Sequence, residues 1–563
     1  MKNGNEIEGI VKARNELTLM INKAAAAVLK FSDLPAITLP ETVLERPQNS
    51  EHGDYASSYP LKLARILKLN PLDIAKSLVN ETMEIADFVE VEVAPPGFIN
   101  FTLNNRWLTH QVDLILKTGE NFGNSDLGEK TKIQLEFVSA NPTGPLHVGN
   151  GRGAILGSTL AKVFSAAGYE VEQEYYINDA GTQVNIFYRS LYARYQQAFR
   201  VDSALPPDGY QGAYIVDLAK EIILEEKDRF LKLPENEAIE KLGQIGLNKL
   251  LARIRQDLDL LGVNFDVWYS EKSLYKEGLF DKVMDILRRG NFIIEREGAT
   301  WFVSTALGDD KDNVVVRSDG LPTYFASDIA YHYDKFVRRK FDHVIDIWGA
   351  DHQGHVSRMK AVVGALGIDP KKLEVILYQL VTVRRGDEVV RLSKRSGDII
   401  TLQEIVEEVG KDACRFFFLA RAADSQMDFD LELAKKQSQD NPVYYVQYAH
   451  ARISSILRLA KEKGIDYESG DVSMLTSEAE LTLIRKMLRL SEIVEMIVLT
   501  SEPHHLTYYA QDLATVFHSF YKQCRVITNN ESTTRARLKL VEATKIILAK
   551  TLHLMGITAP EKM

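Results

Sequence analysis

The sequence predicts an α/β protein: an open parallel sheet, preceded by a small α+β unit and followed by an all-α helix bundle. Three observations predict it. From about residue 130 to 385, alternating strand-like runs and helical apolar patterns succeed one another, as βαβ units do. Beyond Asp440 the pattern is almost wholly helical, over 444–463, 481–498 and 536–554. Before either, an alternating run over 88–93, a Pro95-Pro96-Gly97 turn and a second run from Phe98 to Phe101 read as a hairpin.

Taken in order, residues 1–120 form the first unit, with helical patterns over 7–29 and 61–69 ahead of the hairpin. The polar, glycine-bearing run 119–132 reads as the linker to the sheet domain, 121–439. Within that domain, 202–265 carries a Pro/Gly loop and long charged helical patterns, and reads as an insertion in the sheet. Residues 440–563 make the bundle. At 563 residues the chain can fill roughly three to five domains.

Composition excludes several classes. A hydrophobic fraction of 45% with 26% charged residues describes a soluble globular chain, not a disordered one. No apolar run is long enough to span a membrane, and the polar start lacks a secretory signal. Cys414 and Cys524, the only cysteines, are too few and too distant for a disulfide framework or a cysteine zinc site. The expected location is the cytoplasm. A net charge of −10 weighs against indiscriminate nucleic-acid binding but leaves room for a specific RNA contacted by local basic faces.

The stretch Glu136 to Gly153, EFVSANPTGPLHVGNGRG, joins a strand over 132–138 to a helical pattern from Ala154 to Phe164. A strand, a Pro/Gly turn with a histidine, and a helix N-terminus make a natural phosphate site, and Gly149, Gly151 and Gly153 would let a ligand approach the backbone. A purely structural turn would use the same residues. In a second block, an apolar run meets an Asp319-Gly320 turn, and a helix starting near Thr323 puts Tyr324 and Asp328 at i and i+4 on one face. In a third, a strand runs through Asp346 into Gly349, with Asp351 just beyond, a placement suited to a ribose; Asp351, His352, Gln353 and His355 also admit a metal-ligand reading. Val390-Arg391-Leu392-Ser393-Lys394-Arg395-Ser396-Gly397 is a basic loop. The bundle opens with Tyr444, Tyr445, Tyr448 and Arg452, which either stack on splayed bases or form a buried helical stripe.

These blocks carry a resemblance. Pro142 to Asn150 resembles the "HIGH" signature of class I aminoacyl-tRNA synthetases, and the preceding Glu136 to Asn141 narrows it to the arginyl-tRNA synthetase family, bacterial type. The loop 391–397 resembles the mobile "KMSKS" loop, and 47–64 resembles the family's N-terminal extension, which contacts the outer corner of the tRNA. Residues 442–452 and the C-terminal end are similar to its anticodon-binding domain. The resemblance spans essentially the whole chain and implies a Rossmann-like catalytic domain between those two.

The implied activity is ligation of arginine to tRNA through an arginyl-adenylate, with release of AMP and pyrophosphate and with arginine activation dependent on bound tRNA. The implied catalytic residues are His147, Asn150 and Lys394. For ATP they are Pro142, Thr143, Gly144, His147, Gly149, Asn150, Gly349, Asp351, His352, Arg391 and Lys394. For arginine they are Glu136, Ser139, Asn141, His147, Tyr324, Asp328 and His352. For tRNA they are Tyr444, Tyr448 and Arg452. Carboxylates at Glu136 and Asp328 suit a planar, permanently charged guanidinium, and Lys394 suits the charge that builds on the leaving pyrophosphate. Without the resemblance, Glu136 would read as an exposed strand residue.

Two positions depart from the family pattern: Asn150 stands where the signature has histidine, and Arg391 replaces the first lysine of the loop. Mg²⁺ is expected as the partner of ATP, with no protein-bound metal and no zinc. A monomer without membrane contact is the expected form. The enzymatic rival, a cysteinyl-type synthetase, needs cysteine-ligated zinc; the other rival is a non-catalytic tRNA-binding regulator.

Overall fold

Residues 9–30, 39–82, 87–390 and 400–563 are described in the computed structural model. In the first unit, β1 (Tyr55–Ser57), β2 (Val89–Ala94) and β3 (Phe98–Leu103) form an antiparallel sheet in the order β1-β3-β2. The expected hairpin is β2–β3, closed by a Gly97 N–H to Ala94 carbonyl bond of 3.0 Å. Helices Ile10–Lys30, Tyr59–Leu67 and Pro71–Thr82 accompany it.

The central sheet contains β4 (Lys132–Phe137), β5 (Glu170–Ile177) and β6 (Val267–Ser270), then β10 (His343–Gly349) and β11 (Leu373–Tyr378). All pairs are parallel, in the order β11-β10-β4-β5-β6. The chain therefore winds outward from β4 in one direction, then returns to β10 on its other side. The crevice at the carboxyl ends of β4 and β10 is the switch point, where ligands bind in open α/β sheets. Between β6 and β10 lies an antiparallel trio, β7 (Ile293–Arg296), β8 (Ala299–Phe302) and β9 (Asn313–Val316). After the sheet come β12 (Val381–Arg385), β13 (Glu388–Val389) and β14 (Met427–Asp430).

The helix Val148–Ala166 crosses between β4 and β5 and is buried along nearly its whole length. Its glycines let it lie flat on the sheet. A Cβ at Gly157 would stand 2.2 Å from the Phe137 ring, and one at Gly151 would stand 2.5 Å from Leu402. Gly151 and Gly153 thus serve close packing, Gly153 against Tyr378, rather than the ligand approach expected of them.

The insertion between β5 and β6 is helical: Thr182–Ala198, Ala213–Glu226 and Glu235–Leu260. It has its own apolar core, including Phe187, Leu191, Leu218, Ile222 and Leu250, and begins at Thr182, ahead of the expected 202. The stretch 119–132 is no free tether. Ser125, Gly128 and Lys130 donate backbone bonds to the carbonyls of Ala166, Ala167 and Gly168 at 2.8–2.9 Å.

The bundle packs Pro442–Glu462, Glu478–Thr500, His505–Gln523 and Glu531–Leu554 around buried leucines and isoleucines. The N-terminal unit docks on it through Arg46 to Glu492 (2.7 Å), Arg14 to Glu495 (2.8 Å) and Arg485 to Asp54 (3.1 Å). Arg415, fully buried, ties bundle to sheet domain: it donates to Met555 and Leu261 carbonyls and to Ser158 and Thr159 hydroxyls.

Candidate active site

The chain leaves β4 through a sharp bend. Val138 (φ +70°) and Ser139 (φ +37°) both sit in the left-handed region, which is costly for residues other than glycine. Neighbours hold it there. Ser139 Oγ donates to Glu136 Oε1 (2.9 Å) and accepts from the Tyr176 N–H (3.1 Å); Tyr175 donates to the Ala140 carbonyl (2.7 Å) and Asn178 to that of Ser139 (3.1 Å).

Below the bend lies a cluster of acidic side chains. The helix Tyr324–Tyr333 runs over it, with Thr323 as the cap position as expected, although the Thr323 hydroxyl bonds the Val314 carbonyl (2.9 Å) instead of capping. Asp328 makes no side-chain hydrogen bond or ion pair among the described residues. Burial, together with Glu136, Glu271 and Asp346, pushes its carboxyl well above the usual carboxylate range. Glu271, at the carboxyl end of β6, is 3% exposed and its Oε2 has no hydrogen-bond partner. Burial raises its pKa, with Asp179 adding to it. The buried Tyr176 hydroxyl is also unpartnered, and it feels Glu271, Asp328 and Glu136. Two orphaned buried polar atoms and a free carboxylate converge here, a combination that folding alone leaves costly and a multi-donor cation would satisfy.

Glu136 is differently placed. Its Oε2 accepts from Lys335 Nζ at 2.6 Å while Ser139 occupies Oε1. Tyr324, 42% exposed, stands at the pocket mouth with its hydroxyl 3.9 Å from where a Gly181 Cβ would be. Asn141 donates Nδ2 to Gln183 Oε1 (2.7 Å), which leaves its own oxygen free to accept from an ammonium.

At the signature, His147 is the N-cap of Val148–Ala166. Its Nδ1 accepts the Gly149 N–H (3.1 Å), and Asn150 Oδ1 accepts the His147 N–H (3.0 Å), a reciprocal capping box. An accepting Nδ1 fixes the neutral tautomer with its proton on Nε2, which is then available to a phosphate. Surrounding protein lowers the His147 pKa, opposed by Asp351, although the residue is exposed at the site's mouth. Gly149 makes room for that ring: a Cβ would lie 3.0 Å from it. Pro142 and Thr143 are buried, and the Thr143 carbonyl accepts from Tyr214 of the insertion at 2.7 Å, with Gly144 facing the same ring.

Across the crevice, β10 ends at Gly349, where a Cβ would come within 2.6 Å of Asp351 Oδ1. Asp351 and His352 form an exposed pair, 3.6 Å apart. Among the described residues, a group able to hold a metal, with ligand atoms within 4.8 Å, is Glu502, His504 and His505 of the bundle; Asp351, His352 and His355 form no such group.

Known proteins share this architecture. The profile for "tRNA synthetases class I (R), catalytic domain" matches residues 111–431, that for "Arginyl tRNA synthetase N terminal domain" 15–103, and that for "DALR anticodon binding domain" 446–563. The arginine–tRNA ligase of Dehalococcoides mccartyi strain BAV1 is 57% identical over 99% of this chain and 100% of its own. The chain belongs to the arginyl-tRNA synthetase family. The arginine–tRNA ligase of Heliobacterium modesticaldum is 48% identical, over 98% of this chain and 99% of its own. The Thermus thermophilus arginyl-tRNA synthetase structure has the same fold, with a TM-score of 0.76, 23% identity, and coverage of 98% of this chain and 100% of that one.

The family's basic loop, with Arg391 and Lys394, lies outside the described residues. One of its flanks lies beside the signature. Val390 donates to the Val383 carbonyl (2.9 Å), and on the far side Leu402 donates to the Leu146 carbonyl (2.9 Å) while Thr401 bridges His147.

The family's anticodon domain presents a partly exposed ladder. Tyr444 and Tyr448 rings stack with centroids 6.2 Å apart, and the Arg452 guanidinium lies 4.8 Å over Tyr448 and 5.1 Å over Tyr521. The buried stripe of that helix is instead Val443, Val446, Ala449, His450 and Ile453. The ladder is remote from the acidic pocket in sequence and lies in a different unit.

The sequence reading missed Glu271 and Tyr176. One signal was present: a carboxylate two residues past the apolar run Val267-Trp268-Tyr269, at the carboxyl end of a parallel strand.

Proposed function

We propose that the chain activates arginine with ATP and transfers it from arginyl-adenylate to the 3′-terminal ribose of its tRNA, releasing AMP and pyrophosphate. The observation that carries this reading is the unsatisfied acidic pocket under the signature bend, beside the switch point on its β5–β6 side. Asp328 and Glu271 receive the guanidinium, Tyr176 completes its hydrogen bonds, Tyr324 closes the mouth, and Glu136 and Ser139 form the wall. Asn141 takes the α-ammonium, leaving the substrate carboxylate free to attack the α-phosphate.

His147 offers Nε2–H to the phosphates, and Lys394 stabilises the departing pyrophosphate with Arg391 beside it. Gly149, Asn150, Pro142, Thr143 and Gly144 shape the phosphate side; Gly349, Asp351 and His352 take the nucleoside side. Mg²⁺ enters with ATP and neutralises phosphate charge. No protein nucleophile is needed, because substrate carboxylate and tRNA hydroxyl attack in turn, and the protein contributes position and charge. Tyr444, Tyr448 and Arg452 stack on anticodon bases, and the N-terminal unit, 1–120, touches the tRNA's outer corner. We place the protein in the cytoplasm as a monomer; its two free, buried cysteines accord with a reducing compartment.

The test is charging of total tRNA with each labelled amino acid in the presence of ATP and Mg²⁺. Arginine alone should be incorporated, and ATP–pyrophosphate exchange should need tRNA. Charging with another amino acid, or tRNA binding without charging, would overturn the reading.

A further inference from the structure

Three carboxylates stand in register across the sheet. Asp346 on β10 pairs with Glu136 on β4, which pairs with Glu174 on β5. Asp346 and Glu174 are fully buried and Glu136 is 7% exposed. Unpaired, such a row would repel itself and the pocket's other acids.

The covering helix supplies the counter-charge. Beyond Tyr333 it continues as a π-helical turn, Asp334–Arg338, and this wider turn brings Lys335 over the row. Lys335 is fully buried, with Nζ 2.6 Å from Glu136 Oε2 and 2.8 Å from Asp346 Oδ1. His332 Nε2 lies 2.9 Å from the other Asp346 oxygen, so Asp346 is held from both sides. Arg339, with Tyr331 and Gln134, engages Glu174 separately. Burial works against the Lys335 charge, but Asp346, Glu136 and Glu174 outweigh it and keep the ammonium above its ordinary value.

We propose that Lys335 is a positioning residue for arginine: it fixes the Glu136 carboxylate, and through it Ser139 and the bend, so that the pocket presents one fixed acidic wall. A point charge suits this role. A lysine ammonium can meet two carboxylates on different strands at once, whereas the planar fork of arginine is larger and directional. Lys335 itself does not touch substrate. Its distance to Glu136 sets where that wall stands relative to Asp328 and Glu271.

This inference rests on the pocket being the arginine site, so the experiment separates the two. Arginine binding and ATP binding to the full chain are measured by calorimetry, with tRNA present, for Lys335→Arg, Glu136→Gln and the double variant. Lys335→Arg keeps the charge, and unaltered ATP affinity reports that the fold is kept. It should weaken arginine binding on the order of tenfold, and the double variant should bind arginine as Glu136→Gln does. Wild-type arginine affinity in Lys335→Arg, or a loss that persists undiminished in the Glu136→Gln background, would overturn the proposal. Wild-type arginine affinity in Glu136→Gln would instead overturn the assignment of the pocket wall, and the proposal with it.

Discussion

Glu136 and Asp346 stand opposite each other on the two central strands, and a single ammonium, Lys335 Nζ, reaches both at 2.6 and 2.8 Å. With Glu136 so engaged, the carboxylates left for a ligand are Asp328 and Glu271. The proposed guanidinium site is therefore offset from the β4 strand end toward β6 and the covering helix.

Asp328→Asn should weaken arginine binding by about 3 kcal/mol, on the order of a hundredfold, because a buried charge pair is replaced by a neutral contact. ATP affinity should not change. Isothermal calorimetry with each ligand checks both.

The same carboxyl should make arginine binding pH-dependent. In the free pocket Asp328 is held above the usual range by burial, then by Glu136, Glu271 and Asp346, with Lys335 opposing. Below that raised pKa the empty site carries a proton that the guanidinium must displace. Arginine should bind more tightly as pH rises from about 4, by at most about tenfold per unit, and level off above the raised pKa. Binding should release a proton, measurable as a buffer-dependent calorimetric heat. Asp328→Asn should diminish that release, leaving the part that the raised Glu271 carboxyl contributes.

Asn150 holds the signature helix at its cap, so its departure from histidine keeps a structural task in place. Asn150→Ala removes one side-chain-to-backbone hydrogen bond of the capping box and should cost about 1 kcal/mol in denaturant unfolding. It should also slow ATP–pyrophosphate exchange, because the His147 backbone loses its anchor. An unchanged midpoint would remove the capping role.

Arg452→Ala removes the cation stacked between Tyr448 and Tyr521. The KM for tRNA in steady-state charging should rise on the order of tenfold, with the KM values for ATP and arginine unchanged, since base stacking contributes about 1–3 kcal/mol per base.

The layout was legible because it rests on local signals: the run 132–138 became β4, the strand into Gly349 became β10, and the 3.6-residue pattern became the bundle. Asp328 and Tyr324 were legible on one helix face. Glu271 was not, because only the parallel winding of β4, β5 and β6 brings the end of β6 to the pocket. Lys335 was not either. In sequence it is one charge in a charged helix end, and its burial follows from a π turn that periodicity does not show. The signature glycines were read as ligand clearance, yet Gly151 and Gly153 clear Leu402 and Tyr378, since one residue type answers both needs.

The most direct test is a crystal structure of the full chain soaked with arginine. The guanidinium should lie within hydrogen-bond distance of Asp328, Glu271 Oε2 and the Tyr176 hydroxyl, with Lys335 still on Glu136. A guanidinium seated elsewhere, with Glu271 Oε2 and Tyr176 left unpartnered, would contradict the account.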